Sequence, residues 1–203
     1  MTKLQLPQIG KIAPNFLTVG VYKNRLGKIR LSDYNGKKYV LLLFYPANFT
    51  SVSPTELIKL SDRNKEFRQL STQILAISVD SPFSHLHYLL AKRSQGGLAD
   101  LNFPLVSDLN QTITNKYHLL TKDGLSLPGV FIIDKEGIIQ YYMVNNLLCG
   151  RNIDELLRVL KSIQYIQENP GQACPVDWKA GDQILYSHPL KSKTYFKTLY
   201  SNK

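Results

Sequence analysis

Tyr39-Val40-Leu41-Leu42-Leu43-Phe44-Tyr45 is a continuous apolar run closed by Pro46. A strand with one wet face alternates apolar and polar residues, so a run without alternation predicts a strand buried on both sides, in the interior of a helix-covered sheet. Asp33-Tyr34-Asn35-Gly36 supplies turn chemistry before it, and the run reads as the central strand of the fold. The loop Ala47 to Val52 follows. Ser53-Pro54-Thr55-Glu56 then reads as a capping box with proline at the first helical position. In that arrangement the Ser53 hydroxyl accepts from the Glu56 amide, and the Glu56 carboxylate returns to the Ser53 amide. Leu57, Leu60, Phe67 and Leu70 continue at helical spacing.

Working outward, Gln73 to Asp80 predicts a second buried strand, and Ser81-Pro82 opens a helix running to about Arg93. Gly96-Gly97 breaks the chain. Phe103 to Val106 reads as a short strand and Leu109 to Tyr117 as a short helix. Val130 to Asp134, the turn Lys135-Glu136-Gly137, and Ile138 to Val144 form a hairpin. Asn152 to Tyr165 is an amphipathic helix with Ile153, Leu156, Leu157, Leu160 and Ile163 on one stripe. Beyond Asn169-Pro170-Gly171 the periodicity stops, which predicts a domain over 1–168 and an arm over 169–203 carrying Cys174 and Trp178. The order of elements specifies an α/β class with a mixed sheet covered on both faces.

Composition narrows the function. The net charge of +10 divides into +7 over residues 1–38, −1 over 39–178 and +4 over 179–203, so the excess sits at the two ends. No stripe of Lys/Arg and aromatic residues crosses the middle, and neither a nucleic-acid nor a membrane partner is expected. Cys149 and Cys174 are too few for a disulfide scaffold, and their spacing to histidine matches no metal site, so neither metal nor cofactor is expected. The stretch Met1 to Pro7 shows no apolar signal-peptide core.

The segment Phe44-Tyr45-Pro46-Ala47-Asn48-Phe49-Thr50-Ser51-Val52-Ser53-Pro54-Thr55-Glu56 resembles the active-site stretch of the typical 2-Cys peroxiredoxins. The likeness continues through Gly96-Gly97-Leu98, Phe131-Ile132-Ile133-Asp134, Gly150-Arg151-Asn152, Ala173-Cys174-Pro175 and Tyr195-Phe196, nearly the whole chain. It is nearest to the plastid and cyanobacterial branch, which implies a plastid stroma or a bacterial cytoplasm. The resemblance implies a thioredoxin-like fold with a C-terminal arm, a homodimer or a decameric ring of dimers, and a thioredoxin-type reductant. Family members reduce hydrogen peroxide and organic hydroperoxides with a cysteine thiolate at a helix start, and a resolving cysteine in the partner's arm condenses with the resulting sulfenic acid.

Two positions depart from that pattern. Ser53 stands at the nucleophile's place and Pro128 at that of the transition-state arginine. A hydroxyl is un-ionised near neutral pH and has no sulfenic state, and proline offers neither charge nor donor. Pro46 and Thr50 keep their family types, the first shielding the pocket and the second offering a hydroxyl. Arg151 and Glu56 are expected to pair across it. Cys174 matches the resolving cysteine, and Cys149 is expected to be a small core residue. Peroxidase activity is therefore expected to be lost, the double departure fitting natural loss better than a single engineered change at Ser53. The alternatives are a structural or chaperone-like subunit assembling with an active paralogue, or an ordinary peroxidase if the natural residue at 53 is cysteine.

Overall fold

The computed structural model describes residues 7–201, so the expectation for the N-terminal stretch lies, Pro7 apart, outside the described residues. The chain divides into two compact units, Met1–Arg151 and Asn152–Lys203. In the first, β1 (Leu17–Tyr22) and β2 (Arg25–Arg30) form a hairpin, β3 (Tyr39–Phe44) leads to α1 (Ser53–Asp62) and α2 (Asn64–Gln69), and β4 (Thr72–Ser78) leads to α3 (Pro82–Leu90). Then come β5 (Leu105–Ser107), α4 (Thr112–Lys116), β6 (Gly129–Ile133) and β7 (Ile139–Val144). These strands make one mixed sheet in the order β2-β1-β5-β4-β3-β6-β7, with β3, β4 and β5 parallel and the other pairs antiparallel.

All six residues of β3 are buried, as the unbroken apolar run requires, although β4 and not β3 occupies the middle of the sheet. Leu42, Phe44, Leu75, Ile77, Phe131 and Ile133 share one core cluster with Ile113, Tyr117 and Leu119 from the α4 region. Each such side chain contributes roughly 1.5–3 kcal/mol on burial. Phe44, Tyr117 and Phe131 pack with ring centroids 4.9–5.9 Å apart. On the opposite face, Tyr45 meets His85 of α3.

The structure differs from the sequence reading at one place and adds to it at two. The helix after Ser53 breaks at Arg63, where the chain leaves helical geometry before α2, and Leu70 lies beyond α2. The β1–β2 hairpin was not expected, because its turn is Lys23-Asn24 with φ of 49° and 58°, a left-handed pair without the glycine that advertises it. The arm, where the periodicity stops, holds regular elements. The second unit holds α5 (Ile153–Glu168), a small hairpin of β8 (Gln172–Ala173) and β9 (Leu185–Tyr186), and α6 (Pro189–Tyr200). α6 buries no residue, so its sequence carries no apolar stripe to betray it. Trp178 is buried and packs on Tyr165 at 5.0 Å, its indole N–H donating to the Asp182 carbonyl at 3.2 Å.

Candidate active site

The chain leaves β3 at Phe44 and turns at buried Pro46 into a loop that ends on the first turn of α1. Val52 is already in helical geometry, and its carbonyl accepts from the amide of Thr55 at 3.0 Å and from that residue's hydroxyl at 2.6 Å. The helix therefore starts without a side-chain cap, and the capping box read from Ser53 and Glu56 does not form. Its two members have better partners. Thr50 Oγ1 donates to the Ala47 carbonyl at 2.9 Å, which uses its only proton, so the Ser53 hydroxyl, 2.5 Å away, is the donor to Thr50. Ser53 is 2% exposed, and no base lies among its hydrogen-bond partners.

Glu56 and Arg151 meet as expected, both nearly inaccessible. Glu56 Oε2 accepts from Arg151 Nη2 at 2.6 Å, and Oε1 accepts from Nε at 2.8 Å and from the Arg151 amide at 2.6 Å. Nη1 donates to the carbonyls of Phe44 and Gly129 at 2.9 and 2.7 Å. This two-point pairing outweighs a cap, which explains why the carboxylate turns away from the Ser53 amide. Gly150 lies beside Val52 and Glu56, so the loop before Arg151 closes on the start of α1. Pro128 is buried immediately before β6; its carbonyl accepts from the Asn145 amide at 2.9 Å.

The two cysteines differ in exposure. Cys149 is exposed, correcting its expected core role: the loop backbone is fixed through Asn145 and Asn146, and the side chain points outward. Cys174 lies half-buried in the second unit, where burial raises its thiol pKa, with Ser162 and Arg158 partly opposing.

Beneath the loop lies a polar network that the motifs do not announce. Asn48 donates from its amide to Asp80 Oδ2 at 2.8 Å and from Nδ2 to Ser84 Oγ at 2.8 Å, while its Oδ1 accepts from Tyr45 OH at 2.8 Å. His85 is fully buried. Nε2 faces the Val106 carbonyl at 3.3 Å and donates to it, while Nδ1 lies 3.3 Å from the Tyr45 hydroxyl, whose one proton goes to Asn48 Oδ1, and 3.2 Å from that Oδ1. Burial lowers the His85 pKa to about 4, against smaller opposing effects of Asp80 and the Val106 carbonyl. The unfolded chain then binds a proton between pH 6.5 and 4 that the folded chain refuses. Stability should be full above pH 6.5 and fall by about 3 kcal/mol towards pH 4. Urea midpoints across that range test this; a slope unchanged in His85→Gln would show that His85 is not its source. The only sequence signal for the network was the polar residue types flanking the second strand.

Residues 9–142 match the AhpC/TSA family. The chain belongs to it. Among family relatives, the protein named peroxiredoxin ycf42 in Trieres chinensis is 76% identical over 197 residues, covering 97% of both chains. The chloroplastic 2-Cys peroxiredoxin BAS1 of Arabidopsis thaliana is 49% identical over 195 residues, 96% of this chain and 73% of that one. The reduced 2-Cys peroxiredoxin of Plasmodium vivax superposes with a TM-score of 0.91 at 36% identity, covering 93% of this chain and 98% of its own, which makes the fold thioredoxin-like. Relatives of this AhpC/TSA chain are thus plastid and cyanobacterial peroxiredoxins, the latter including one of Synechocystis at 48% identity. Among the described residues no three His, Cys, Asp or Glu side chains converge as metal ligands, and no helix is long and apolar enough to cross a membrane.

Proposed function

We propose that this chain is a plastid-type peroxiredoxin that has kept the family architecture and lost thiol peroxidase chemistry. The supporting observation is Ser53. It occupies the first turn of α1 at the end of the Pro46–Val52 loop, buried, with its hydroxyl proton committed to Thr50. Reduction of a peroxide needs a nucleophile that gives two electrons to one oxygen and survives as a sulfenic acid, and an alcohol forms no such state. The cation that would stabilise the cleaving bond is missing as well, because Pro128 is neutral and the Arg151 guanidinium is bound by Glu56 and two carbonyls. Ser53 also lacks the base that a serine hydrolase requires.

Thioredoxin-coupled NADPH consumption on addition of hydrogen peroxide is expected to stay at the protein-free background. Turnover that persists through repurification and disappears in Ser53→Ala would overturn the reading.

Assembly is the function that remains. β7 ends the sheet and bears no charged residue over Ile139–Val144; the Gly10–Lys11 backbone covers its outer side at Ile139, and an uncharged edge of this kind is a liability unless paired, which supports a homodimer joined through it, in rings or with an active paralogue. A monomer mass by light scattering at tens of micromolar would count against it.

A further inference from the structure

The opposite edge of the sheet has the reverse character. β2 is its terminal strand, and from Gln8 to Ser32 the chain carries Lys11, Lys23, Arg25, Lys28 and Arg30 with no acidic residue. A cavity of about 660 Å³ lies against this hairpin and is lined by Gly20, Tyr22, Arg25, Gly27, Ile29 and Pro104, among others. That volume suits a bound side chain or a small ligand.

The register determines what such a site would accept. Tyr22 and Arg25 flank the two-residue turn and exchange both ladder hydrogen bonds, as do the pairs Gly20–Gly27 and Thr18–Ile29 at intervals of two. The amide and carbonyl groups of Leu26, Lys28 and Arg30 therefore point away from β1, towards the open edge. The side chains of those same residues share one face, with Lys28 and Arg30 about 7 Å apart along the strand. On the other face Gly20 and Gly27 lie opposite each other. Gly20 is obligatory, since a Cβ there would lie 2.2 Å from Ile29 Cδ1 and 2.8 Å from the Leu105 carbonyl oxygen. A Cβ on Gly27 would meet nothing within 4 Å, so the gap above it is open.

We propose that the β2 edge and this groove form a docking site for an acidic, extended peptide segment of a partner protein, added antiparallel to β2 as an eighth strand. Opposite Arg30 and Lys28 the segment carries carboxylates two residues apart. Opposite Gly27 it carries an aromatic ring, which fills the gap, and opposite Leu26 an apolar residue; a third carboxylate faces Arg25. Read from its N-terminus, the complementary sequence is Glu-Val-Glu-Phe-Leu-Glu. A second copy of this chain is the wrong occupant, because pairing β2 with itself sets cations against cations. A nucleic acid would answer the charge but neither the backbone donors and acceptors nor the apolar gap.

The test is fluorescence anisotropy of the full chain with a labelled Gly-Ser-Glu-Val-Glu-Phe-Leu-Glu-Ser-Gly peptide. Saturable binding is expected, weakened at least tenfold by scrambling the six central residues, by replacing the three Glu with Gln, or by Lys28→Ser with Arg30→Ser. Gly27→Val should weaken the Phe peptide at least threefold and leave a peptide with Ala in that place unchanged, a comparison that a misfolded variant could not produce. Leu26→Pro removes an outward amide without touching the ladder to β1 and should weaken both peptides. Absence of binding at 100 µM peptide overturns the proposal. So does a scrambled peptide or an oligothymidylate of equal charge that binds as tightly, since that would be general attraction of polyanions. The site is independent of peroxide chemistry, so its failure leaves the reading of Ser53 intact.

Discussion

Ser53→Cys combined with Pro128→Arg is expected to consume peroxide about 10²–10³ times faster than Ser53→Cys alone, the usual worth of one preorganised group aimed at developing charge. The single Ser53→Cys variant should itself rise measurably above the native chain. The reason lies in the sheet. β3 and β6 pair antiparallel with Leu43 opposite Val130, and extending that register by two places sets Pro128 opposite Tyr45, next to Pro46 at the head of the loop that ends at Ser53. A guanidinium projecting from position 128 starts beside the head of the loop that leads to residue 53. The 10-residue helix α1 keeps its N-terminus at residue 53, where its dipole favours a thiolate. Burial of Pro128 makes folding the first control, so thermal melts of Pro128→Arg alone accompany the kinetics. If Ser53→Cys is as fast without the arginine as with it, position 128 is no part of the loss. If both variants remain at background while folded, the loop no longer presents residue 53 to peroxide and the loss goes deeper than two side chains.

How much of this could be read from the sequence depends on what each residue is asked to do. The unbroken run Tyr39 to Tyr45 identifies an interior strand because burial on both faces leaves no other composition, and β3 is buried at every position. Asn152 caps α5 through Asp154 and Glu155, and the apolar stripe behind it made that helix plain. α6 and the β1–β2 hairpin escaped for the converse reason: their residues are largely exposed, so water imposes no pattern on them. At the site, the Glu56–Arg151 pair followed from the resemblance. The Ser53 cap was misjudged because the local motif is silent about a residue 95 positions away. His85 belongs to the same class of miss, since a buried histidine is specified by the carbonyl of Val106 and the hydroxyl of Tyr45, neither of which neighbours it in sequence.

Arg151→Met is expected to destabilise the protein by about 3–5 kcal/mol, the range for removing one partner of a buried pair. The side chains of Arg151 and Glu56 are 0% and 5% exposed. Without the guanidinium, the Glu56 carboxylate keeps only the residue 151 amide, and the carbonyls of Phe44 and Gly129 lose their donor. Each of those groups is then buried and under-satisfied. At 2–4 °C of melting temperature per kcal/mol for a chain of this size, the shift should be roughly 10 °C. Arg151→Met with Glu56→Leu should recover part of the loss, because no uncompensated charge remains, and that recovery separates the pair from simple packing. Urea unfolding of the native chain, both single variants and the double variant measures it. A loss below 1 kcal/mol in Arg151→Met, or a double variant as unstable as the sum of the singles, would refute the coupling. The pair joins the end of β3, the start of β6, the first turn of α1 and the loop closing on Gly150. It therefore has a structural role that does not require a sulfur at position 53, and selection for a stable fold could retain Glu56 and Arg151 after the peroxide chemistry had gone.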